Sequence, residues 1–401
     1  MQLLLQYSLH LWANASTLLY MHNVRWPLFP DYERPAIYGL APNKAFNLHI
    51  NTADNETLGA WFLFSDSYYQ KSSLHPSFTA TGSVTNPVFD EHLLPALQSR
   101  PTVLLFHGNA ANRAASYRVA LYAALSSRLD ANVLVVDYRG FGDSTGSPTE
   151  AGLLEDAKAA WNWVVGGGTV MHGDGEASTK VKAEDVLIVG HSLGTSVAAM
   201  LGEWLDEQGV QPKGLALVAP FSNVPTIART FAIFGLIPVL RPITSLPGVY
   251  EGLTRYLIDT LDTQARLPKI AAPILLVHAL DDTTIPASHS TALFEELLSP
   301  QLPPVPYTPA ELTLPKPGMW DKMNAVIGER QTIRARVVRE WNIEGWGVVR
   351  EFDRPNRKLS EGEETMAVGK VRHVETTHGD HVDVLKSQGV LNIFVEFFGM
   401  D

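Results

Sequence analysis

The sequence contains no cysteine among its 401 residues. Disulfides, thiolate metal sites and cysteine nucleophiles are therefore excluded. Basic charge is also scarce, because 31 Lys and Arg stand against 42 Asp and Glu, giving a formal net charge of −11. A chain this acidic offers no positive field to a phosphate backbone, so we expect no nucleic acid partner.

Charged side chains are missing from residues 1–24, since the first one is Arg25. Polar residues interrupt this segment too often for the roughly 20 apolar residues of a membrane span, and a secretory signal would need a basic start. As a helix, the segment would place Leu5, Leu9 and Trp12 on one face and polar side chains on another. Two interpretations follow: a helix in a membrane interface, or one packed on the protein's own surface.

Short apolar runs alternate with longer helical patterns along most of the chain. The runs TVLLF, NVLVV, DVLIV, GLALVA and ILLVH have no polar alternation, which is typical of strands buried on both faces of a parallel sheet. Two earlier runs, 45–51 and 57–64, predict a hairpin. The sequence therefore predicts an α/β fold with a mostly parallel, doubly wound sheet, in which a leader over 1–40 precedes one domain over 41–401.

Two segments depart from this alternation of apolar runs and helical patterns, and we interpret both as insertions. Residues 221–267 contain an uncharged apolar run, and we expect a cap between sheet strands. Its Phe231, Phe234 and Leu236 would supply an apolar wall for a substrate, unless the segment only packs on the sheet. Residues 299–367 are proline-rich and then charge-rich, which predicts a surface insertion that is partly mobile.

The strongest chemical motif is Gly190-His191-Ser192-Leu193-Gly194, which directly follows the run DVLIV and begins a helical pattern. A nucleophilic serine in a tight strand-to-helix turn needs small residues two positions away, where larger side chains would collide with the sheet or helix. Ser192 would project at the carboxyl edge of the sheet. We predict Ser192 as a nucleophile, and an ordinary turn with a capping serine is the alternative.

A serine nucleophile needs a base to accept its proton and an acid to orient that base. Asp281 and Asp282 follow the run ILLVH, and we favour Asp282 as the acid over two turn-forming aspartates. The base lies among three histidines near the C-terminus. We favour His381, at a loop-to-helix junction, leave His378 as its competitor, and interpret His373 as structural.

Backbone N–H groups that face the developing oxyanion would complete an acyl-transfer site. The loop FHGNA after the run TVLLF is placed to supply one donor. We favour the N–H of Asn109, with Ala110 as second choice, and the N–H of Leu193 as the other donor. His107 in the same loop is interpreted as structural. We expect no metal, because the histidines near His381 lack the i,i+4 spacing of a helical ligand pair.

In this order, the elements FHGNA, DYRGFGDS, GHSLG, HALDDTTIP and THGDHVDVLKSQG resemble those of the α/β-hydrolase superfamily over roughly residues 40–400. The HGN loop and the acid loop resemble, more narrowly, its monoacylglycerol and lysophosphatidylserine lipases and their peptidase-like relatives. The resemblance implies the α/β-hydrolase fold, with Ser192 as nucleophile, Asp282 as acid and His381 as base. The 94 residues between Pro286 and His381 exceed the acid-to-base segment usual in that family.

The resemblance also implies the activity and the setting. It implies hydrolysis of a lipid or small ester, such as a monoacylglycerol or lysophospholipid, with no cofactor, by an intracellular protein associated with a membrane such as the endoplasmic reticulum. From the residues alone, a peptidase or amidase using the same three residues stays open, because ester and amide cleavage pass through the same kind of oxyanion. So does a non-catalytic ligand-binding protein on this scaffold.

Overall fold

The computed structural model describes residues 19–72, 74, 89–168, 181–230, 259–313, 316–358 and 365–400. The strands in these ranges are β1 Ala45–Asn51, β2 Thr57–Leu63, β3 Thr102–Phe106, β4 Asn132–Val136, β5 Val186–His191, β6 Gly214–Val218, β7 Ile274–Ala279, β8 Arg339–Ile343, β9 Gly347–Phe352, β10 Arg357–Lys358, β11 Thr365–Met366 and β12 Val371–Thr376. The α-helices there are α1 Asp66–Lys71, α2 Phe89–Ser99, α3 Ser116–Arg128, α4 Glu150–Val165, α5 Leu193–Glu207, α6 Val224–Thr230, α7 Thr263–Arg266, α8 Ser288–Leu298, α9 Pro309–Leu312, α10 Met319–Val337, α11 Asp380–Asp383 and α12 Gln388–Phe398.

One ten-stranded sheet organises this part of the chain, in the order β1-β2-β4-β3-β5-β6-β7-β12-β9-β8. The strands from β4 to β12 in that order run parallel to one another. The predicted hairpin, β1 and β2, joins antiparallel at one end, with Asn51 opposite Thr57. The sheet is therefore mostly parallel, as the apolar runs predict.

Helices cover both faces of the sheet, which is why its central strands are mostly apolar. On β3, Leu104 and Phe106 belong to the core cluster beneath α2, α4, α5 and α8. The alternate residues Val103 and Leu105 belong to the opposite cluster, beneath α3 and α12. Because successive strand side chains point to opposite faces, a strand between two helical layers is buried at every position and therefore favours apolar residues.

The described part of the late insertion contains regular secondary structure. Its helix α10 leads into the antiparallel hairpin of β8 and β9, and β9 pairs with β12, so that the insertion extends the sheet by two strands. The charges that indicated a solvated loop are paired instead: Arg350 binds Glu340 across the hairpin at 2.8 Å, and Arg372 on β12 binds Glu351 on β9 at 2.6 Å.

Two predicted regions lie largely outside the described residues. The N-terminal segment is described only from residue 19 onward, and the cap only over 221–230 and 259–267. Phe231, Phe234 and Leu236, the predicted apolar wall, lie outside the described residues. Within the described ranges, no helix combines the length and the apolarity that crossing a bilayer requires.

Candidate active site

Ser192 lies at the turn between β5 and α5, in a backbone conformation that disfavours side chains. Its φ is 53°, a left-handed value that is uncommon outside glycine and is retained where the surrounding structure enforces it. A Cβ atom on Gly190 would lie 2.3 Å from the carbonyl oxygen of Gly194, and one on Gly194 would lie 2.0 Å from that of Phe106. Only glycine fits on either side, so the strained strand-to-helix turn predicted from the motif is confirmed.

Three predicted side chains meet at this turn. The Oγ of Ser192 is 3.0 Å from Nε2 of His381, and Nδ1 of the same ring is 2.7 Å from Oδ2 of Asp282. The other carboxylate oxygen, Oδ1, accepts the N–H groups of Thr284 and Ile285 at 2.8 and 2.9 Å. The arrangement can pass a proton from the hydroxyl to an imidazole that a fixed carboxylate orients.

The carboxylate of Asp282 is held in its charged form. Burial would raise its pKa, but hydrogen bonds from His278 and His381 hold the pKa of Asp282 well below its usual range. The Nε2 of His278 lies 3.2 Å from Oδ2. An ionised acceptor favours a hydrogen on the facing Nδ1 of His381, which leaves Nε2 free to accept the proton of Ser192.

The competing residues lie away from the nucleophile. Asp281 accepts the backbone N–H of Asp380 at 2.9 Å, and His378, whose side chain is 87% exposed, lies 3.4 Å from that carboxylate. His373 is buried on β12, with Nε2 3.1 Å from Oγ of Ser290. The structure thus brings Asp282 and His381, but not these residues, to Ser192.

The loop after β3 lies against the nucleophile. A Cβ atom on Gly108 would be 3.2 Å from Cβ of Ser192. The N–H of Ala110 is already engaged, because it donates to Oδ1 of Asn109 at 3.0 Å. Among the described residues, the N–H groups of Asn109 and Leu193 have no hydrogen-bond acceptor, so these two donors, and not Ala110, are available to a ligand. Their role in binding an oxyanion stays a prediction.

His191 is a contributor that sequence reasoning missed, although it lies within the motif. Its Nε2 is 2.7 Å from the carbonyl oxygen of His381. Because a carbonyl only accepts, Nε2 is the donor. Burial, followed by the charge of His381, lowers the pKa of His191 to about 3, so the ring is neutral. The residue before the nucleophile therefore fixes the backbone of the proposed base.

The N-terminal segment reaches this loop. The side-chain Nδ2 of Asn109 donates to the carbonyl oxygen of Leu19 at 2.7 Å, and the N–H of Ala111 donates to that of Val24 at 2.7 Å. The buried Tyr20 hydroxyl donates to Oδ2 of Asp259 at 2.9 Å. Residues 19–24 thus connect the candidate oxyanion loop to Asp259, which follows the part of the predicted cap that lies outside the described residues.

Comparisons with known proteins indicate the family to which the chain is similar. The profile of the alpha/beta hydrolase family matches residues 103–381. The lysophosphatidylserine lipase ABHD12 of Gallus gallus is 31% identical over 283 residues, 68% of this chain and 64% of that protein. The lysophosphatidylserine lipase ABHD12 of Danio rerio is 27% identical over 285 residues, 69% and 65%. The matched region therefore spans less than two thirds of the length of either relative.

A solved structure resembles the described fold. The alpha-beta hydrolase of Vibrio vulnificus superposes with a TM-score of 0.51 at 15% sequence identity, over 72% of this chain and 82% of that chain. At this level of identity the likeness concerns the fold alone.

Proposed function

The chain belongs to the alpha/beta hydrolase family, and from that premise we propose that it is a serine hydrolase that cleaves carboxylic esters of lipids such as monoacylglycerols or lysophospholipids. The observation that carries the proposal is the chain of contacts from Ser192 to His381 at 3.0 Å and from His381 to Asp282 at 2.7 Å. The names of the Gallus gallus and Danio rerio relatives support a lipid as the substrate.

In the proposed reaction the ester bond is cleaved in two stages. The Oγ of Ser192 attacks the carbonyl carbon while Nε2 of His381 accepts its proton. The N–H groups of Asn109 and Leu193 stabilise the oxyanion of the tetrahedral intermediate. His381 then returns the proton to the leaving alcohol, and an acyl group stays on Ser192. Water, activated by the same imidazole, releases the acid and restores the hydroxyl.

Substrate profiling of the purified protein tests the proposal. We expect kcat/KM for a monoacylglycerol or a lysophospholipid to exceed that for a peptide p-nitroanilide by at least about 100-fold, or about 2.7 kcal/mol of transition-state stabilisation. A short p-nitrophenyl ester serves as a soluble control, and fluorophosphonate-inactivated protein supplies the blank. Faster peptide cleavage would favour the amidase alternative, and ligand binding without any turnover or labelling would favour a non-catalytic role.

We also propose that the protein acts at the surface of an intracellular membrane. Four apolar side chains of residues 24–29 are exposed, of Val24, Trp26, Leu28 and Phe29, the last at 96%. The same stretch bonds the loop of Asn109, since the N–H of Ala111 donates to the carbonyl oxygen of Val24. Lipids leaving a bilayer at this patch would arrive beside the proposed oxyanion donors, and a cluster of exposed apolar side chains is the surface feature that such contact requires.

Replacing Trp26 and Phe29 with serine should weaken membrane binding. Removing two large apolar side chains from a lipid contact should lower the fraction of protein that floats with phosphatidylcholine vesicles by about tenfold or more. The matched control is the double replacement of Trp320 and Ile327, which are 54% and 40% exposed on α10. This control should float as the unmodified protein does. Equal flotation of both variants would contradict a membrane contact at residues 24–29.

A further inference from the structure

Arg118, in the first turn of α3, is buried beneath the loop that carries Asn109. One of its guanidinium nitrogens, Nη2, donates hydrogen bonds to the carbonyl oxygens of Gly108 at 2.7 Å, Asn109 at 3.2 Å and Ala110 at 2.7 Å. Three successive carbonyl groups of the loop are thus directed at one side chain. No spacing rule in the sequence anticipates such a contact, because its acceptors are backbone atoms.

The contact with Gly108 controls the direction of the candidate oxyanion donor. The carbonyl of Gly108 and the N–H of Asn109 belong to the same peptide unit, which is planar and trans, so the two groups point in opposite directions. Arg118 holds this oxygen together with Nδ1 of His107, which lies 2.7 Å from it, and the N–H therefore points away from both side chains. A hydrogen bond donated to the carbonyl also polarises the peptide unit and strengthens its N–H as a donor.

The loop would not keep this shape by its own preference. Ala110 and Ala111 have φ values of 56° and 53°, in the left-handed region that is unfavourable for residues with a Cβ atom. Such conformations persist only when surrounding contacts enforce them. Arg118 supplies such contacts to Ala110, where the strained stretch begins, and to Gly108 and Asn109 before it.

The charge of Arg118 is buried without a carboxylate. The residue is 4% exposed, its Nη1 has no hydrogen-bond partner, and no ion pair to it occurs among the described residues. Arg113 is equally buried but pairs with Asp137 at 2.7 Å and Asp143 at 2.6 Å. Burying a charge without a carboxylate is destabilising unless polar groups compensate it, and the three loop carbonyls are the groups that do so for Arg118. A cation held in this way can also act on negative charge that develops at the loop.

We propose that Arg118 is a positioning residue for the oxyanion-binding loop, which aims and polarises the N–H of Asn109 for the transition state of ester cleavage. This inference rests on the proposed serine hydrolase function. It concerns the turnover step and not substrate binding, since the hydrogen bonds that Arg118 makes to described residues all go to carbonyl groups of the loop.

Arg118→Met tests the proposal, with Arg354→Met as the matched control. Arg354 likewise donates to a series of backbone carbonyls, those of Ile270, Ala271, Ala272 and Gly369, at 2.6 to 3.1 Å, next to the start of β7. Losing one oxyanion donor lowers kcat by about 100- to 1000-fold. Since Arg118 acts through the loop, we expect Arg118→Met to lower kcat per titrated active site by about 10- to 100-fold and to change KM by less than about threefold. Arg354→Met should keep kcat within about twofold.

Comparison with a thionoester substrate gives a ratio of kcat/KM values that a general loss of structure would not change. Sulfur is a weaker hydrogen-bond acceptor than oxygen, so a working oxyanion site prefers the oxygen ester. The ratio of kcat/KM for the oxygen ester to kcat/KM for the thionoester should therefore be smaller in Arg118→Met than in the wild type. Arg118→Lys, which retains a cation with donors on a shorter stem, should recover part of kcat and of that ratio. Arg354→Met should keep the wild-type ratio.

Several outcomes would overturn the inference about Arg118. The first is a kcat per active site equal to that of Arg354→Met, the second is an effect confined to KM, and the third is an unchanged thionoester ratio. If neither Arg118 variant folds while Arg354→Met does, the role is structural and the inference is wrong. A wild-type protein that neither cleaves esters nor binds a fluorophosphonate would instead refute the proposed function itself, which separates the two failures.

Discussion

Replacing Ser192 with alanine will lower kcat for p-nitrophenyl ester hydrolysis by about 10⁵- to 10⁶-fold and will abolish fluorophosphonate labelling. Alanine lacks the Oγ atom that lies 3.0 Å from Nε2 of His381, so the proposed nucleophile for covalent attack is gone. Hydrolysis above the rate in water would persist at a low level, because the N–H groups of Asn109 and Leu193 could still stabilise an oxyanion formed by water. Steady-state kinetics and in-gel labelling measure both effects.

Ser196→Ala is the control for that experiment. Ser196 lies one helical turn further along α5, buried, with its Oγ 2.7 Å from Oγ1 of Thr263. Its loss removes a buried hydrogen bond, which costs about 1 kcal/mol of stability, but labelling and kcat should be retained. If Ser192→Ala still reacted with the fluorophosphonate, another residue would be the nucleophile. The contacts of Ser192 with His381 would then no longer support the proposed esterase function.

The central sheet was predictable because its strands are buried on both faces. The run TVLLF coincides with β3, and NVLVV coincides with β4. Such a strand favours apolar residues at every position, so its apolar run has nearly the strand's own length. The turn at Ser192 was predictable for a different reason: only glycine fits at positions 190 and 194, so the steric requirement is itself visible in the sequence.

Other parts of the fold and site left no such signal. The strands β8 and β9 carry charged side chains that pair with one another and with β12, and charge alone predicts a solvated loop. The contacts of His191 and Arg118 end on backbone carbonyls, and a carbonyl has the same chemistry at every position in the chain. A side chain that binds backbone atoms can therefore be recognised only once the fold has brought the two together.

Asp282→Asn should lower kcat by about 10⁴-fold while the fold is retained, because the change places the wrong hydrogen on His381. The oxygen of the new amide will remain at Oδ1, where the N–H groups of Thr284 and Ile285 require an acceptor at 2.8 and 2.9 Å. Its NH₂ group then faces Nδ1 of His381, which must become an acceptor. The hydrogen of a neutral imidazole moves to Nε2, which can no longer take the proton of Ser192.

Asp281→Asn distinguishes this effect from the loss of a negative charge in the loop. Both aspartates follow β7, but Asp281 is exposed and binds the backbone N–H of Asp380, an acceptor role that the amide oxygen of asparagine can keep. We expect Asp281→Asn to retain kcat within about tenfold, as befits an exposed polar contact. Equal losses of kcat in both variants would contradict the assignment of Asp282 as the acid. Combining Asp282→Asn with Ser192→Ala should lower kcat no further than Ser192→Ala alone, because an imidazole in the correct tautomer has no function once its proton donor is gone.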